Sequence, residues 1–336
     1  MYVARMAQDL FRRFSNQPAP RPVPEPGAKP PGEESGPDKA KAAGLDKAKA
    51  KSAVSEGEVM SAIDKVPPMP AVVQSLLKQM GNQQSSTSDF EDLIRQDMVI
   101  AGRLLKLVNS PFYNLSNPVA SLSQAVALCG LSSLRALVLA SSTANLMNLD
   151  LSAYGFAERG LWKNSFATAA LAKAVAQESK AGPQCEEEWF VAALLRDVGM
   201  LVLGPFLAKA EVTLRADPDK AEIDILRRER QVLGYDHCWV GERIGERWKL
   251  PEPLRLCIAR HHRIPTDVSA STMRQLAAVR IAERIGYAAG IGLLKDHPFD
   301  AHIDGMLIHA AGLNAESFSL LMKRVPVVMT SSEMPL

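Results

Sequence analysis

The stretch EEWFVAALLRDVGMLVL, residues 187–203, decides the fold class, because it combines a helical pattern with polar residues that interrupt it. Phe190, Leu194 and Leu201 recur at helical spacing, which predicts the buried face of a helix. Asp197 falls on the same face, three residues after Leu194 and four before Leu201. A buried carboxylate needs a cation, a metal ion or several hydrogen-bond donors, so this position predicts a polar centre inside the protein.

The helical spacing of apolar residues continues along most of the chain beyond about residue 59, and strict alternation, which would indicate strands, is absent. Ser121 lies three residues before Gln124, the spacing of a capping box, and this pair predicts the start of a helix. We therefore predict an all-α fold, built as a two-lobed helical bundle. Later helices are predicted over 157–179, 187–203, 220–232, 237–248, 252–262, 271–289 and 300–310.

The N-terminal part of the chain differs in composition from the rest. Residues 1–16 have the apolar spacing of a short amphipathic segment. Residues 17–57 are rich in Pro, Lys and Ala and contain too little apolar area to offset the entropy of ordering, which predicts a disordered linker. The predicted folded part comprises a domain at 60–290, with an N-terminal lobe at 60–150 and a second lobe at 151–290, followed by C-terminal helices and a tail at 291–336.

Composition and charge exclude several classes of protein. Of the 336 residues, 47% are hydrophobic and 23% are charged, which is typical of globular proteins. The net charge of +2 gives no general argument for binding nucleic acid or anionic membranes. No uncharged apolar run reaches the roughly 18 residues of a membrane span, and the N-terminus lacks the apolar core of a signal peptide. The sequence therefore predicts a cytoplasmic protein without membrane insertion.

Other polar residues also fall on apolar helix faces or at helix ends. His237 begins a predicted helix, and His261 and His262 end another. Glu283 follows Val279 by one helical turn, and Asn164 shares a face with the apolar residues of its helix. Each could alone be a satisfied core residue. Several helices that direct polar groups towards one interior predict a shared site.

Several separate blocks of the sequence follow one another in a characteristic order and spacing. They are LLKLVNSPFY at 104–113, SLSQAVALCG at 121–130, LRALVL at 134–139, LWKNS at 161–165, AALLRDVG at 192–199, His237-x-x-Val-Gly241, WKLP at 248–251 and His261-His262. Over about residues 62–290 these blocks resemble the bacterial HD-related output domain (HDOD) family. The resemblance implies an all-helical fold whose second lobe is HD-like, that is, related to the HD phosphohydrolases, and a role in bacterial signal transduction.

The resemblance also implies where a metal site would lie. HD phosphohydrolases bind divalent metal through a His…His-Asp…Asp pattern, and the corresponding positions here are Asn164, Arg196-Asp197 and Glu283, with Ala282 as a competing alignment for the last. Asn164 offers only a weak, neutral oxygen ligand. Arg196 carries a permanent positive charge and no lone pair. The pattern therefore predicts a degenerate site with no metal, no cofactor and no catalysis.

Two roles are open for the polar centre. Arg196 could replace the charge of the metal by pairing with Asp197, with Glu283 or with both. Alternatively, Arg196, His237, His261 and His262 could form a site for a phosphate or a nucleotide messenger, with donors added by neighbouring arginines. A residual metal site formed by the three histidines also stays open.

The sequence thus favours a non-catalytic signal-transduction output or adaptor module, which acts through an unidentified protein partner or a nucleotide-type ligand. The alternative is a metal-dependent nucleotide phosphohydrolase or cyclic-nucleotide phosphodiesterase. Binding of nucleic acid is not expected. The basic run at 227–230 includes Glu229 and has other acidic neighbours, which predicts a solvated helix face.

Overall fold

The computed structural model describes residues 54–331, apart from 80–86, 110–114, 215–222 and 293–302 and the single positions 96, 116, 145, 148, 264 and 266. The predicted amphipathic segment at 1–16 and the predicted linker up to residue 53 lie outside the described residues. Throughout these ranges the chain forms helices and no strand, which confirms the all-α prediction.

The N-terminal lobe consists of short helices. They are α1 Glu56–Lys65, α2 Ala71–Gln79, α3 Thr87–Arg95, α4 Met98–Val108, α5 Leu122–Cys129 and α6 Leu131–Ala144. Side-chain caps fix three of their starts: Ser55 Oγ accepts a hydrogen bond from Glu58 N–H, the Asp97 carboxylate accepts from the N–H groups of Val99 and Ile100, and Ser121 Oγ accepts from Gln124 N–H. The predicted start of a helix at Ser121 is therefore confirmed.

The second lobe begins with a 3₁₀ turn at Ser152–Tyr154 and contains the longer helices. They are α7 Gly160–Glu178, α8 Pro183–Leu195, α9 Met200–Lys209, α10 Ile223–Leu233, α11 His237–Arg247, α12 Glu252–Arg260, α13 Ala270–Ala288, α14 Ile303–Ala310 and α15 Ala315–Ser331. Helix α7 packs along α8, α13 and α15, and α11 packs along α12. The C-terminal helix α15 thereby joins the core of this lobe through Phe318 and Leu321.

The prediction of one helix over 187–203 is wrong. The chain instead forms α8 and α9, separated by a tight turn at 196–199. In this turn Val198 N–H bonds to the carbonyl of Leu195, and Met200 N–H to that of Asp197, so the bonds span three residues instead of four. Arg196 and Asp197 lie in this turn, and both side chains are buried.

The two lobes meet mainly where α6 packs against α8. Polar contacts reinforce the junction. The Arg247 guanidinium lies 3.2 Å from the Asp64 carboxylate, and Trp248 Nε1 donates to the carbonyl of Pro67 at 3.0 Å. On the other side, Lys173 Nζ donates to Ser133 Oγ at 2.6 Å.

The helical run Pro183–Lys209, which comprises α8, the turn and α9, is long and apolar enough to cross a bilayer, with 27 residues and a mean hydropathy of 1.8. However, 89% of its apolar window is buried inside the protein. This is the behaviour of a core helix of a folded domain.

Candidate functional site

Arg196 is the centre of a buried ion-pair network. Its side chain has no exposed surface, and its Nη2 lies 2.9 Å from Oδ2 of Asp197. Its Nε donates to Oε1 of Glu283 at 3.0 Å, and its Nη1 donates to the carbonyl of Ala193 at 2.9 Å. The guanidinium therefore pairs with both carboxylates, as one of the sequence-based hypotheses required, and it links the end of α8 to α13.

These contacts keep both carboxylates ionised in the interior. Burial alone would raise the pKa of Asp197, but the Arg196 guanidinium outweighs burial and holds the pKa at about 2. Burial likewise would raise the pKa of Glu283, and Arg196 together with Arg280 holds it at about 2. Because the charges compensate one another, the network is stable as a unit and each member depends on the others.

His261 joins the network next to Asp197. Its Nε2 lies 3.3 Å from Oδ1 of Asp197, and its Nδ1 lies 3.0 Å from the carbonyl oxygen of Ile258. Both ring nitrogens therefore face acceptors, and both can be satisfied only if each carries a hydrogen. Burial lowers the pKa of His261, but Cys238 and Asp197 raise it above its ordinary value. These contacts favour the imidazolium form of the ring.

His237 is held by Glu229, a residue that the sequence analysis placed in solvent. That placement is wrong, because Glu229 has no exposed surface and lies on the buried face of α10 between Leu226 and Leu233. Its carboxylate accepts hydrogen bonds from the Tyr154 hydroxyl at 2.6 Å and from the backbone N–H of His237 at 3.0 Å. It also lies 2.8 Å from Nδ1 of His237.

His262 closes the chain of polar contacts. Its Nε2 lies 3.1 Å from Nε2 of His237, so one hydrogen is shared between these two nitrogens. On the other side of the ring, Nδ1 lies 3.2 Å from Nη1 of Arg280, which also donates to Glu283 at 2.9 Å. Burial, His261 and His237 lower the pKa of His262 well below its ordinary value, so this ring is neutral. A continuous polar chain thus runs from Tyr154 to Glu283.

Asn164 stands apart from this network. It is buried on α7, and its Oδ1 faces the backbone of Gly292, where a Cβ atom would come within 3.0 Å of it. Within the described part of the chain, no hydrogen bond joins Asn164 to Arg196, Asp197 or Glu283. The structure therefore brings three of the four degenerate HD positions into one bonded unit and leaves the fourth beside it.

The residues present do not fit a metal ion at the HD positions, because the Arg196 guanidinium occupies the space between Asp197 and Glu283. A different set of donors lies nearby. Ligand atoms of His237, Cys238, His261 and His262 all lie within 4.8 Å of one another. A cation could bind there only by displacing hydrogens from the imidazole rings, so metal and protons would compete for the cluster.

A cavity of about 210 Å³ opens next to His262. Arg260 and Arg263 are exposed at its rim, and His262 is half-buried in its wall. Of the four residues predicted to bind a ligand, Arg196, His237 and His261 have no exposed surface. A ligand in this cavity would therefore touch His262, while the other three lie behind it.

The profile of the HDOD domain matches residues 66–264, more than half of the chain. The chain belongs to the HDOD family. A curated relative from Treponema pallidum (strain Nichols), itself uncharacterised, is 27% identical over 206 residues, which is 60% of this chain and 39% of that protein. This HDOD chain therefore matches less than half the length of that relative.

Solved structures share the fold of this HDOD protein. An HDOD domain protein of unknown function from Geobacter sulfurreducens aligns with a TM-score of 0.66 at 22% identity, over 82% of this chain and 95% of the other. A proposed phosphohydrolase from Shewanella amazonensis aligns with a TM-score of 0.58 at 20% identity, over 82% and 97%. A proposed signal transduction protein from Marinobacter aquaeolei gives 0.63 at 18%, over 82% and 64%. These similarities confirm the predicted fold class.

Sequence reasoning missed Glu229, Tyr154 and Arg280 as members of the network. For Glu229 a signal existed, because it follows Leu226 by three residues and precedes Leu233 by four, the spacing of one buried helix face. No comparable signal identified Tyr154 or Arg280, since their roles depend on which helices pack together.

Proposed function

We propose that this HDOD protein is a non-catalytic output or adaptor module of signal transduction. The observation that carries the proposal is the position of Arg196, whose guanidinium lies between the Asp197 and Glu283 carboxylates with no exposed surface. A guanidinium has no lone pair for a metal, and its charge repels one. The ion pairs hold α8 and α13 together without a metal.

The energetics favour the arginine over a divalent ion at this position. Two unit charges about 4 Å apart interact by about 4 kcal/mol at an effective dielectric constant of 20, and a divalent ion next to Arg196 would meet roughly twice that repulsion. The guanidinium donates a hydrogen bond to Glu283 at 3.0 Å and forms an ion pair with Asp197 at 2.9 Å. Removing it to admit a metal would cost the protein these contacts.

Metal content and turnover test this proposal directly. Protein purified without chelators should contain far less than one equivalent of Mn, Fe or Zn and should not hydrolyse cyclic-nucleotide phosphodiesters. Arg196→His restores an imidazole at the HD position and should raise metal retention, whereas Arg95→His, at an exposed ion pair on α3, should not. Stoichiometric metal together with turnover in the unmodified protein would show that the non-catalytic proposal is wrong.

A metal-dependent phosphohydrolase or phosphodiesterase is the second candidate, because His237, Cys238, His261 and His262 bring their ligand atoms within 4.8 Å of one another. If the purified protein does hold metal, His237→Ala and His261→Ala should each release it. His309→Ala, on the exposed side of α14, is the matched control and should retain it. Loss of metal in both variants without loss of fold would establish the cluster as the metal site.

The proposed module could bind a nucleotide-type ligand in the cavity beside His262. Arg260 and Arg263 place two guanidinium groups at its rim, and Trp239 contributes an aromatic ring. These groups suit a phosphate attached to a base. Calorimetric titration with cyclic dinucleotides and guanosine polyphosphates tests this role, with the Arg260→Gln/Arg263→Gln variant expected to lose binding. Absence of heat with every nucleotide would leave protein contacts as the route of output.

A further inference from the structure

A separate cavity of about 220 Å³ lies at the junction of the two lobes, away from the Arg196 network. Its walls come from both lobes, because α5 and α6 form one side and α7 and α8 form the other. Residues whose side chains bring polar or reactive groups to it are Cys129, Ser133, Lys173, Glu186 and Glu187.

Glu187 is a buried carboxyl group, one oxygen of which has no hydrogen-bond partner. Its side chain is 5% exposed, and its Oε1 is buried and makes no hydrogen bond within the described residues. A buried polar atom left unpaired costs about 1–3 kcal/mol, and native structures contain few of them. Because Glu187 lines the cavity, a donor placed in the cavity can satisfy it.

Lys173 supplies the opposite charge in the same cavity. Its ammonium donates one hydrogen bond, to Ser133 Oγ at 2.6 Å, although an ammonium carries three donors. Burial lowers its pKa, an effect that Glu186 partly offsets. The cavity therefore offers unused donors at Lys173 and an unused acceptor at Glu187.

We propose that this interlobe cavity binds a small zwitterion of the free amino acid class, with its ammonium on Glu187 and its carboxylate on Lys173. The volume is smaller than the roughly 300–1,000 Å³ of sites for drug-sized ligands, and the two complementary charged groups suit a small zwitterion. Since both lobes line the cavity, the ligand would stabilise their present arrangement.

Binding of such a ligand is coupled to ionisation of Glu187. Burial, only partly offset by the Arg135 charge, raises the pKa of Glu187 to about 8, so the free protein holds this carboxyl mainly protonated near neutral pH. A ligand ammonium requires the carboxylate. Binding below about pH 8 therefore releases a proton into the buffer.

Isothermal titration of the full-length protein with each of the common L-amino acids tests the proposal. We expect at least one to bind and to release close to one proton, measured from the heats in two buffers with different ionisation enthalpies. For that amino acid, the N-acetyl derivative and the decarboxylated amine should each bind roughly tenfold or more weakly, because each loses one charged contact. These analogue titrations use the unmodified protein and do not depend on any variant folding.

Two substitutions test the proposed contacts of the ligand with Glu187 and Lys173. Glu187→Gln should weaken binding roughly tenfold and abolish proton release, and Lys173→Met should weaken binding without abolishing proton release. Glu158→Gln, which removes an exposed carboxylate just before α7 and outside the cavity, is the control and should change neither quantity. No binding by any amino acid, or binding that survives N-acetylation or Glu187→Gln, would overturn the proposal. None of these outcomes bears on the metal content or nucleotide titrations at the other site.

Discussion

Arg196 Nε and Glu283 Oε1 lie 3.0 Å apart although the two residues are separated by 87 positions in the sequence, and neither side chain is more than 2% exposed. This contact joins the turn after α8 to the middle of α13 inside the second lobe. A buried ion pair adds little net stability compared with apolar packing, but removing one partner leaves an uncompensated charge. The pair therefore favours the packing of the end of α8 against α13 over other arrangements of these helices.

Arg196→Met should be strongly destabilising. The substitution keeps a similar volume but leaves Asp197 and Glu283 buried without their cation, which costs about 3–5 kcal/mol. Urea unfolding followed by circular dichroism measures the change. Arg95→Met is the control, since Arg95 is 62% exposed in its pairs with Glu91 and Asp92, and exposed pairs contribute about 0–1 kcal/mol. Equal losses in the two variants would contradict the central role of Arg196.

The fold was more predictable from the sequence than the site. Apolar spacing identified α7 and α10 to α13 to within a few residues, because a helix with one buried face has apolar residues at helical spacing in its sequence. The break between α8 and α9 is not marked by any change in this apolar spacing. Both arms of residues 187–203 are apolar, and the turn at 196–199 is set by packing against α11.

At the site, the sequence identified the polar residues on apolar faces but not their partners. The resemblance to HD phosphohydrolases grouped Arg196, Asp197 and Glu283 as corresponding positions, and in the structure Arg196 contacts the other two. The link from His237 through Glu229 to Tyr154 could not be foreseen, since it depends on the angle at which α10 meets α11. Long-range pairing of side chains is a property of tertiary packing, which one sequence does not encode in any local pattern.

Tyr154→Phe should test that link. The hydroxyl donates to Glu229 at 2.6 Å in a fully buried position, and its removal deprives a buried acceptor of a donor, at a cost of about 1–3 kcal/mol. Tyr235→Phe is the control, because Tyr235 is only partly buried in the loop between α10 and α11 and should change stability by less than about 0.5 kcal/mol. A neutral Tyr154→Phe substitution would mean that water replaces the hydroxyl.

Gly199→Ala should damage the turn between α8 and α9. A Cβ atom at this position would lie 1.9 Å from the carbonyl oxygen of His237 and 2.8 Å from the backbone nitrogen of Gly241, so the backbone of α11 must move. We expect a loss of about 3 kcal/mol or more in the free energy of unfolding.

Gly102→Ala is the matched control for that substitution. Gly102 lies within α4 with no heavy atom within 4 Å of the added Cβ, and alanine in a helix interior is favoured over glycine by about 1 kcal/mol. The two substitutions should therefore change the melting temperature in opposite directions. A stabilised Gly199→Ala variant would show that α9 and α11 do not approach as closely as described.

Glu187 should make the stability of the protein depend on pH near neutrality. Its pKa is about 8 in the folded protein because burial raises it from 4.5. Between about pH 5 and about pH 8 the folded state holds a proton that the unfolded chain has released, so the free energy of unfolding falls as pH rises through this window and levels off above it.

Glu187→Gln keeps the side chain neutral and removes this dependence. Relative to the unmodified protein, the variant should gain on the order of a few kcal/mol between the two ends of the window. Denaturant unfolding at both ends measures the gain, and Glu158→Gln, at an exposed carboxylate, should show none. A constant difference between Glu187→Gln and the unmodified protein across the window would mean that Glu187 is already ionised and paired in the folded state.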